Sequence, residues 1–262
     1  MTTTVKRRVA VSPLSAPSQV PVVSVLTQAR APRSVTNPKG VLFGPPKTGK
    51  TVGAVSGEGK KLLLLLEPDG DAPLVGRTDV DVFQPTTVAE LGSAIKELHR
   101  PGNAGYTRVV LDSVTFAFEM VGGKEIWNAL KDNREARRAF GMAGAAINQF
   151  IHDAVLLPIE VVFITQLKLD APGDDGVPLN PEAGEHPMTM ALSPMVYKIL
   201  TPAVSYIGRT FKRQVVDQQG RKIGVYGVSF EDYGKSPAGA RIPIPAEVLD
   251  LNLSTLFPKG GE

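Results

Sequence analysis

The segment from Gly44 to Thr51, GPPKTGKT, constrains the fold of this chain more than any other feature of its sequence. It matches the pattern G-x-x-x-x-G-K-[ST] in full. The apolar residues 40–43 in front of it predict a short buried strand, and a helix is expected to begin near residues 49–51. A strand, a tight glycine turn and a helix in this order favour an α/β fold with a parallel sheet.

The same eight residues have the composition of a phosphate-binding loop. Its two glycines let the backbone turn tightly, so that successive N–H groups point at phosphate oxygens, and the helix N-terminus behind them adds partial positive charge. Lys50 is expected to reach the β- and γ-phosphates of ATP, and Thr51 to offer its hydroxyl to Mg²⁺. The residues predicted to bind ATP are Gly44, Pro45, Pro46, Lys47, Thr48, Gly49, Lys50 and Thr51.

Strand-like and helix-like patterns alternate after the loop. Continuous apolar runs predict strands over residues 61–66, 80–83, 107–111 and 160–165. Apolar residues at three- and four-residue spacing predict helices over residues 88–98 and 143–157. A β-hairpin is expected over residues 203–213 and 222–230. The pattern predicts a mainly parallel sheet flanked by helices and extended by antiparallel C-terminal strands.

Carboxylates follow two of the predicted strands. Asp112 comes directly after the apolar residues 108–111, which places it at the carboxyl edge of the sheet beside the phosphate loop. There it is expected to hold Mg²⁺ together with Thr51. Glu67 and Asp69 follow the leucine-rich strand and are both candidates for activating water, although either carboxylate would also suit a turn or helix cap.

Basic residues are concentrated at the N-terminus. The chain has 262 residues and a net charge of +3. The first 33 residues contain five basic side chains and no acidic one, which leaves the remainder at −2. Such a segment can attract nucleic acid by counterion release, but we favour the simpler interpretation, a solubilising or disordered leader. We expect residues 1–36 to be a basic flexible segment and residues 37–262 to form one ATPase domain.

Composition excludes several other classes of protein. The chain has no Cys, which rules out disulfides, cysteine-ligated zinc and cysteine catalysis. Its longest apolar run, residues 62–66, is far shorter than the roughly 20 residues that a membrane helix needs. We therefore expect a cytoplasmic protein that does not enter a membrane.

Several of these segments, taken in order, resemble the RecA-like recombinase core. They are the phosphate loop, the carboxylates after the next strand, residues 109–115 (VVLDSVT) and residues 161–168 (VVFITQLK). In that family a strand ending in Gln contacts the γ-phosphate and opens a DNA-binding loop, and the resemblance gives this role to Gln166. The resemblance covers about residues 38–257 and implies a RecA-like P-loop NTPase core. The chain looks most like the compact, phage-encoded RecA-like ATPases that anneal single strands.

The resemblance also implies how subunits and DNA would be arranged. Residues 119–141 and 167–192 would be the two DNA-binding loops. Lys235, or Arg241 as second choice, would reach the ATP of a neighbouring subunit, although both could be solvated hairpin charges. A homo-oligomer, ring or filament, with ATP at its subunit interfaces is therefore expected, in a bacterial host cytoplasm if the protein is phage-encoded. A single-strand DNA-binding protein is a further conceivable partner.

Basic and aromatic side chains alternate in the first of these loops, as suits stacking of bases beside paired phosphates. The candidate DNA contacts are Lys124, Trp127, Lys131, Arg134, Arg137 and Arg138. The same spacing fits an ordinary amphipathic helix with Trp127 against the core and the arginines in water. The second loop has five acidic residues between positions 170 and 185, which would repel phosphate.

Three hypotheses about function follow. The first is a RecA-like ATPase, slow or DNA-stimulated, that uses ATP and Mg²⁺, binds single-stranded DNA and promotes annealing or recombination. The alternative is a P-loop ATPase that acts as a motor, loader or regulatory switch on a protein partner, whose hydrolysis would be indifferent to DNA. A small-molecule kinase is the third, with residues 119–141 as its lid.

Overall fold

The computed structural model of this chain shows a mixed α/β arrangement. The described residues are 35–117, 120, 133–169, 188–216, 219–231 and 238–256. The predicted basic segment, residues 1–36, lies outside them except for its last two residues. Among the described helices, none combines the length and the apolar character that crossing a bilayer requires.

Ten strands within the described residues form one sheet. They are β1 (Lys39–Gly44), β2 (Lys61–Leu65), β3 (Val80–Phe83), β4 (Arg108–Asp112), β5 (Glu160–Leu169), β6 (Met188–Met190), β7 (Tyr206–Val216), β8 (Lys222–Ser229), β9 (Gly239–Ala240) and β10 (Glu247–Leu249). Their order is β10-β8-β7-β1-β5-β4-β2-β3, with β6 beside β5 and β9 beside β7. The strands from β7 to β3 run parallel, whereas β8 and β10 are antiparallel to their neighbours. The predicted fold class is confirmed.

Helices cover both faces of this sheet. They are α1 (Lys50–Ala54), α2 (Val88–Leu98), α3 (Asn133–Val155), α4 (Pro194–Ala203) and α5 (Leu253–Leu256), with short 3₁₀ turns at Ala72–Leu74 and Asn103–Gly105. Buried side chains of α2, α3 and α4 pack on one face with Val41 and Phe43 of β1. The other face, with Leu42, packs against α1 and α5. Because successive residues of a strand face opposite sides, continuous apolar runs such as that of β1 suit central strands covered twice.

Several predicted boundaries differ from the structure. Helix α3 begins ten residues before the predicted Ala143, so the part of the predicted loop 119–141 from Asn133 onward is helical. In the second predicted loop, Lys168 belongs to β5 and Met190 to β6, and residues 170–187 lie outside the described residues. Ala203 ends α4, a helix that the sequence analysis missed, and is not part of a strand.

Three strands begin with a cationic side chain buried at the amino edge of the sheet. Lys39, Lys61 and Arg108 start β1, β2 and β4 and are 9%, 0% and 5% exposed. The Lys39 ammonium donates hydrogen bonds to the carbonyls of Leu157, at 2.7 Å, and Ile159. Burial lowers the pKa of Lys39 to about 8. These cations are stabilised by main-chain oxygens and carboxylates that take the place of water.

Arg108, together with Arg77, holds the carboxyl end of α1, the helix behind the phosphate loop. The Arg108 guanidinium donates to the carbonyls of Ala54 (3.0 Å) and Ser56 (2.6 Å). The guanidinium of Arg77 donates to the carbonyl of Val55 at 3.0 Å. The last carbonyls of a helix lack partners within the helix, so these bonds complete a helix of only five residues. The position of the phosphate loop is thereby fixed from behind.

Arg108 also forms a buried ion pair with Glu160, with 2.6 Å between Nε and Oε2. We expect Arg108→Met to lower the free energy of unfolding by about 3 kcal/mol, because it leaves a buried carboxylate without a partner. The double variant with Glu160→Met should recover part of the loss. Urea unfolding measures both changes.

Arg100→Met is the matched control. Arg100 is exposed and lies 3.9 Å from Glu97, so its replacement should change stability by less than about 0.5 kcal/mol. A loss for Arg108→Met as small as that of the control would contradict the role given to the amino edge.

Candidate nucleotide-binding site

The phosphate loop leaves β1 at the carboxyl edge of the sheet and turns through glycine conformations. Gly49 has φ +80°, in the left-handed region that side chains with a Cβ disfavour. Gly44 has φ +157°, and a Cβ there would lie 2.3 Å from the hydroxyl oxygen of Thr210. Both positions therefore require glycine, as the motif predicted. Lys47, at φ +61°, is a third left-handed residue in the loop.

Lys50 lies across the loop that it follows. Its ammonium donates to the carbonyls of Gly44 at 3.0 Å and Pro45 at 2.8 Å. Burial lowers its pKa, while the charges of Asp112 and Glu67 oppose that shift. The cation is thus placed between the loop and two carboxylates, where it would meet the terminal phosphates of a nucleotide.

Thr51 and Asp112 meet as predicted. The Thr51 hydroxyl donates to Oδ2 of Asp112 at 2.6 Å. Asp112 is 3% exposed, and burial raises its pKa to about 6, with the nearby charge of Glu67 adding to the rise. A carboxylate and a hydroxyl are oxygen ligands of the kind that Mg²⁺ prefers, and a buried carboxylate is stabilised by a cation. These two residues therefore fit a magnesium ion.

Glu67 joins this group, whereas Asp69 does not. The backbone N–H groups of Leu66 and Glu67 donate to the carbonyl of Asp112 at 2.6 and 3.2 Å, which ties the residues after β2 to the end of β4. The Glu67 carboxylate accepts a hydrogen bond of 3.2 Å from the side-chain amide of Gln166. Asp69 lies exposed in the turn beyond, at φ +57°. The geometry favours Glu67 as the carboxylate near the terminal phosphate.

Gln166 lies opposite Gly44 in the register of β5 with β1. Its backbone N–H donates to the hydroxyl of Thr115 at 3.3 Å, and that hydroxyl donates to the carbonyl of Ala191 at 3.0 Å. The N–H of Ala191 donates back to the carbonyl of Gln166 at 2.8 Å. Gln166 therefore links Glu67, at the carboxyl edge of the sheet, to the residues that follow β4 and β6.

The β7–β8 hairpin forms a wall of the phosphate loop that the sequence analysis missed. The hydroxyls of Thr48 and Thr210 lie 2.7 Å apart, and Thr210 also donates to the carbonyl of Phe43 at 3.2 Å. The ring of Tyr226 lies 3.6 Å from the position of a Cβ at Gly49. Only the spatial order of the strands, with β7 beside β1, brings these residues together.

The other predicted site residues are placed differently. Arg241 lies at the amino edge, where its N–H donates to the carbonyl of Ser205 and its guanidinium to that of Pro202, both at 2.8 Å. It is therefore remote from the phosphate loop of its own chain. Lys235 and the candidate DNA contacts Lys124, Trp127 and Lys131 lie outside the described residues. The remaining candidates are Arg134, Arg137 and Arg138, all in α3, of which Arg138 is exposed.

Comparison with known protein families agrees with this geometry. The family model described as "AAA domain" matches residues 36–242. The chain belongs to the AAA domain family. The matched range extends from β1 through β9 and includes the phosphate loop, Asp112 and Gln166.

Two solved structures similar to this AAA domain are those of the RadB recombinase and of the flagellar accessory protein FlaH from Methanocaldococcus jannaschii. RadB is 18% identical, over 81% of this chain and 86% of that chain, with a TM-score of 0.42. FlaH is 10% identical, over 81% of this chain and 84% of that chain, with a TM-score of 0.35. No curated protein matches the sequence of the chain.

Asp112→Asn tests the electrostatics of the site. It removes a buried charge but keeps the shape of the side chain. We expect the nucleotide-free protein in EDTA at pH 7.5 to gain about 1 kcal/mol in free energy of unfolding, because the buried carboxylate is unfavourable without a cation. Hydrolysis of ATP with Mg²⁺ should fall about 100-fold. Urea unfolding and phosphate release measure the two effects.

Asp79→Asn is the control with the opposite sign. Hydrogen bonds from Arg77 and Lys61 hold the pKa of Asp79 well below its usual range, so this carboxylate stabilises the fold as an anion. Its replacement should destabilise the protein. A loss of stability in Asp112→Asn similar to that in Asp79→Asn would contradict the interpretation of Asp112.

Proposed function

We propose that this AAA domain is a RecA-like ATPase that binds ATP with Mg²⁺, binds single-stranded DNA and promotes annealing or recombination, as the compact phage-encoded annealing ATPases do. The observation that carries the proposal is the set of hydrogen bonds around Gln166. They connect the candidate nucleotide site to Thr115, a few residues before the first segment to which the RecA resemblance gives DNA contacts, and to Ala191 in the second.

The loop between Gly44 and Thr51 would bind the phosphates through its backbone N–H groups and the N-terminus of α1. The Lys50 ammonium would exchange its carbonyl partners in the loop for phosphate oxygens. Thr51 and Asp112 would hold Mg²⁺, which neutralises charge on the β- and γ-phosphates when it is bound. Each of these side chains lies at the carboxyl edge, where ligands of open α/β sheets bind.

Glu67 would orient and deprotonate the attacking water, since it is the carboxylate that shares the edge with Asp112 and Lys50. The Gln166 amide now donates to Glu67 and would turn to the γ-phosphate when ATP is bound. The position of this side chain would therefore depend on whether the γ-phosphate is bound.

The backbone hydrogen bonds of Gln166 would transmit this change to the predicted DNA-binding segments. Thr115, which accepts its N–H, lies just before residues 118–132, and Ala191 lies just after residues 170–187. Strands β5 and β6 pair at the base of the second segment, with Leu167 opposite Met190. A shift of Gln166 would therefore move both predicted DNA-binding segments together.

The DNA surface would start from α3. Arg138 is exposed on this helix, and Lys124, Trp127, Lys131, Arg134 and Arg137 would extend the contact with phosphates and stacked bases. In an oligomer with ATP between subunits, Lys235 of one subunit would offset charge on the phosphates bound by its neighbour.

Gln166→Ala tests the coupling. ATP affinity should stay within about twofold of the parent, because the phosphate loop and Asp112 are untouched, whereas the ATP-induced rise in affinity for single-stranded DNA should be lost. Fluorescence anisotropy of a labelled oligonucleotide, with and without ATP, measures the ratio of affinities. Gln149→Ala is the matched control, since Gln149 is exposed on α3 and bonded to Asp153.

An unchanged ratio in Gln166→Ala would reject the coupling role. Lys50→Ala gives the complementary result, with loss of ATP binding itself by about 100-fold or more. ATP binding without any effect on DNA affinity in the parent would favour the alternative, an ATPase that acts on a protein partner.

A further inference from the structure

The β7–β8 hairpin extends beyond the strand that carries the phosphate loop. Strand β7 pairs with β1 only from Tyr206 to Arg209, and it continues with β8 to Val216. Its outer part therefore stands beside the loop at the carboxyl edge of the sheet. Thr210 fixes the contact, because its hydroxyl lies 2.7 Å from that of Thr48 and donates to the carbonyl of Phe43.

Tyr226 and Lys212 lie on the face of the hairpin that meets the loop. They are directly opposite in the antiparallel register, and Lys212 is two residues beyond Thr210, so all three side chains share one face. The Lys212 ammonium lies 5.2 Å from the centroid of the Tyr226 ring, a cation–π distance. Tyr226 is 40% exposed, so much of its side chain is open to solvent.

The backbone around Tyr226 is fixed to the helix behind the loop. The N–H of Asp250 donates to the carbonyl of Tyr226 at 2.7 Å. The next residue, Leu251, packs so closely on α1 that a Cβ at Gly53 would lie 2.3 Å from it. The backbone that carries the exposed Tyr226 ring is therefore tied to α1, and the ring lies next to Gly49.

The order of the strands sets the direction in which a bound nucleotide would lie. Three groups suit a terminal phosphate and its cation: Asp112 ends β4, Gln166 lies in β5 and Glu67 comes shortly after β2. These three strands all lie on one side of β1 in the sheet. The hairpin lies on the other side of β1. If the γ-phosphate of a bound nucleoside triphosphate lies at the carboxylates, the nucleoside at its other end therefore points toward the hairpin.

We propose that Tyr226 contacts the nucleobase of the bound nucleotide by stacking and that Lys212 orients the ring. The inference rests on the proposed binding of ATP at the phosphate loop and adds the residue that recognises the nucleoside. A planar base gains from stacking on an aromatic ring, whereas inorganic triphosphate has no group that reaches it. The hairpin thus distinguishes a nucleotide from a bare polyphosphate.

Binding of two probes, ATP and inorganic tripolyphosphate, to the full chain tests the inference by calorimetry. Tyr226→Ala should weaken ATP binding about tenfold and change tripolyphosphate binding less than twofold. Tyr226→Phe should restore ATP binding, since the ring is retained. Ile223→Ala, exposed on the other face of the hairpin, is the control and should change neither affinity.

Retained tripolyphosphate affinity shows that the variant has folded with its loop intact. Equal losses for both probes in Tyr226→Ala and Tyr226→Leu would overturn the inference, because the ring would then only support the loop. Unchanged affinity for both probes would overturn it too, and so would a loss confined to single-stranded DNA. Failure of the parent to bind either probe would instead reject the proposed ATP site itself.

Discussion

The hydrogen bond from Thr51 to the buried carboxylate of Asp112 joins the phosphate loop to the centre of the sheet. It forms because β1, β5 and β4 lie side by side, with Gly44 opposite Gln166 and Asp112 opposite Ile164, two residues earlier in β5. The register of these strands therefore brings the phosphate loop, the proposed metal ligand Asp112 and the proposed phosphate contact Gln166 close together. Burial makes the charge of Asp112 unfavourable in the absence of a cation. The affinity of the site for a cation therefore depends on how deeply the fold buries this carboxylate.

The amino edge of the sheet stabilises the fold, whereas the carboxyl edge carries the candidate site. At the amino edge, Lys39, Lys61 and Arg108 are buried, and their donors are engaged by carbonyls and carboxylates. At the carboxyl edge, Lys50 and Glu67 remain partly exposed, with partners that a nucleotide could replace. The helix between the edges, α1, is so short that the contacts of Arg108 at its end fix the loop at its start.

The local parts of the site were predictable from the sequence. The motif required glycine at positions 44 and 49, and the apolar strand before Asp112 placed that carboxylate at the edge. Glu67 and Asp69 could not be separated, because both follow the same strand and only the turn between them, with φ +57° at Asp69, directs them apart.

Parts that depend on tertiary structure were not predictable. Thr210 and Tyr226 reach the loop only because β7 adds to the sheet beside β1, and no local pattern specifies that neighbour. Helix α4 was hidden between a polar segment and a hairpin, although Ser193 accepts the N–H of Val196 as its N-cap and Pro194 follows. The charge pattern of residues 119–141 suited a loop and a helix equally, and from Asn133 onward the helix formed.

The central claim is that the nucleotide site and single-stranded DNA are coupled. Its most direct test is the rate of Mg²⁺-dependent ATP hydrolysis by the full chain, with and without single-stranded DNA, over a series of salt concentrations. The account predicts stimulation by DNA that fades as salt rises. The slope of log DNA affinity against log salt should be about −3.5 if five cationic side chains contact phosphates. Hydrolysis that is the same with and without DNA at every salt concentration would contradict it.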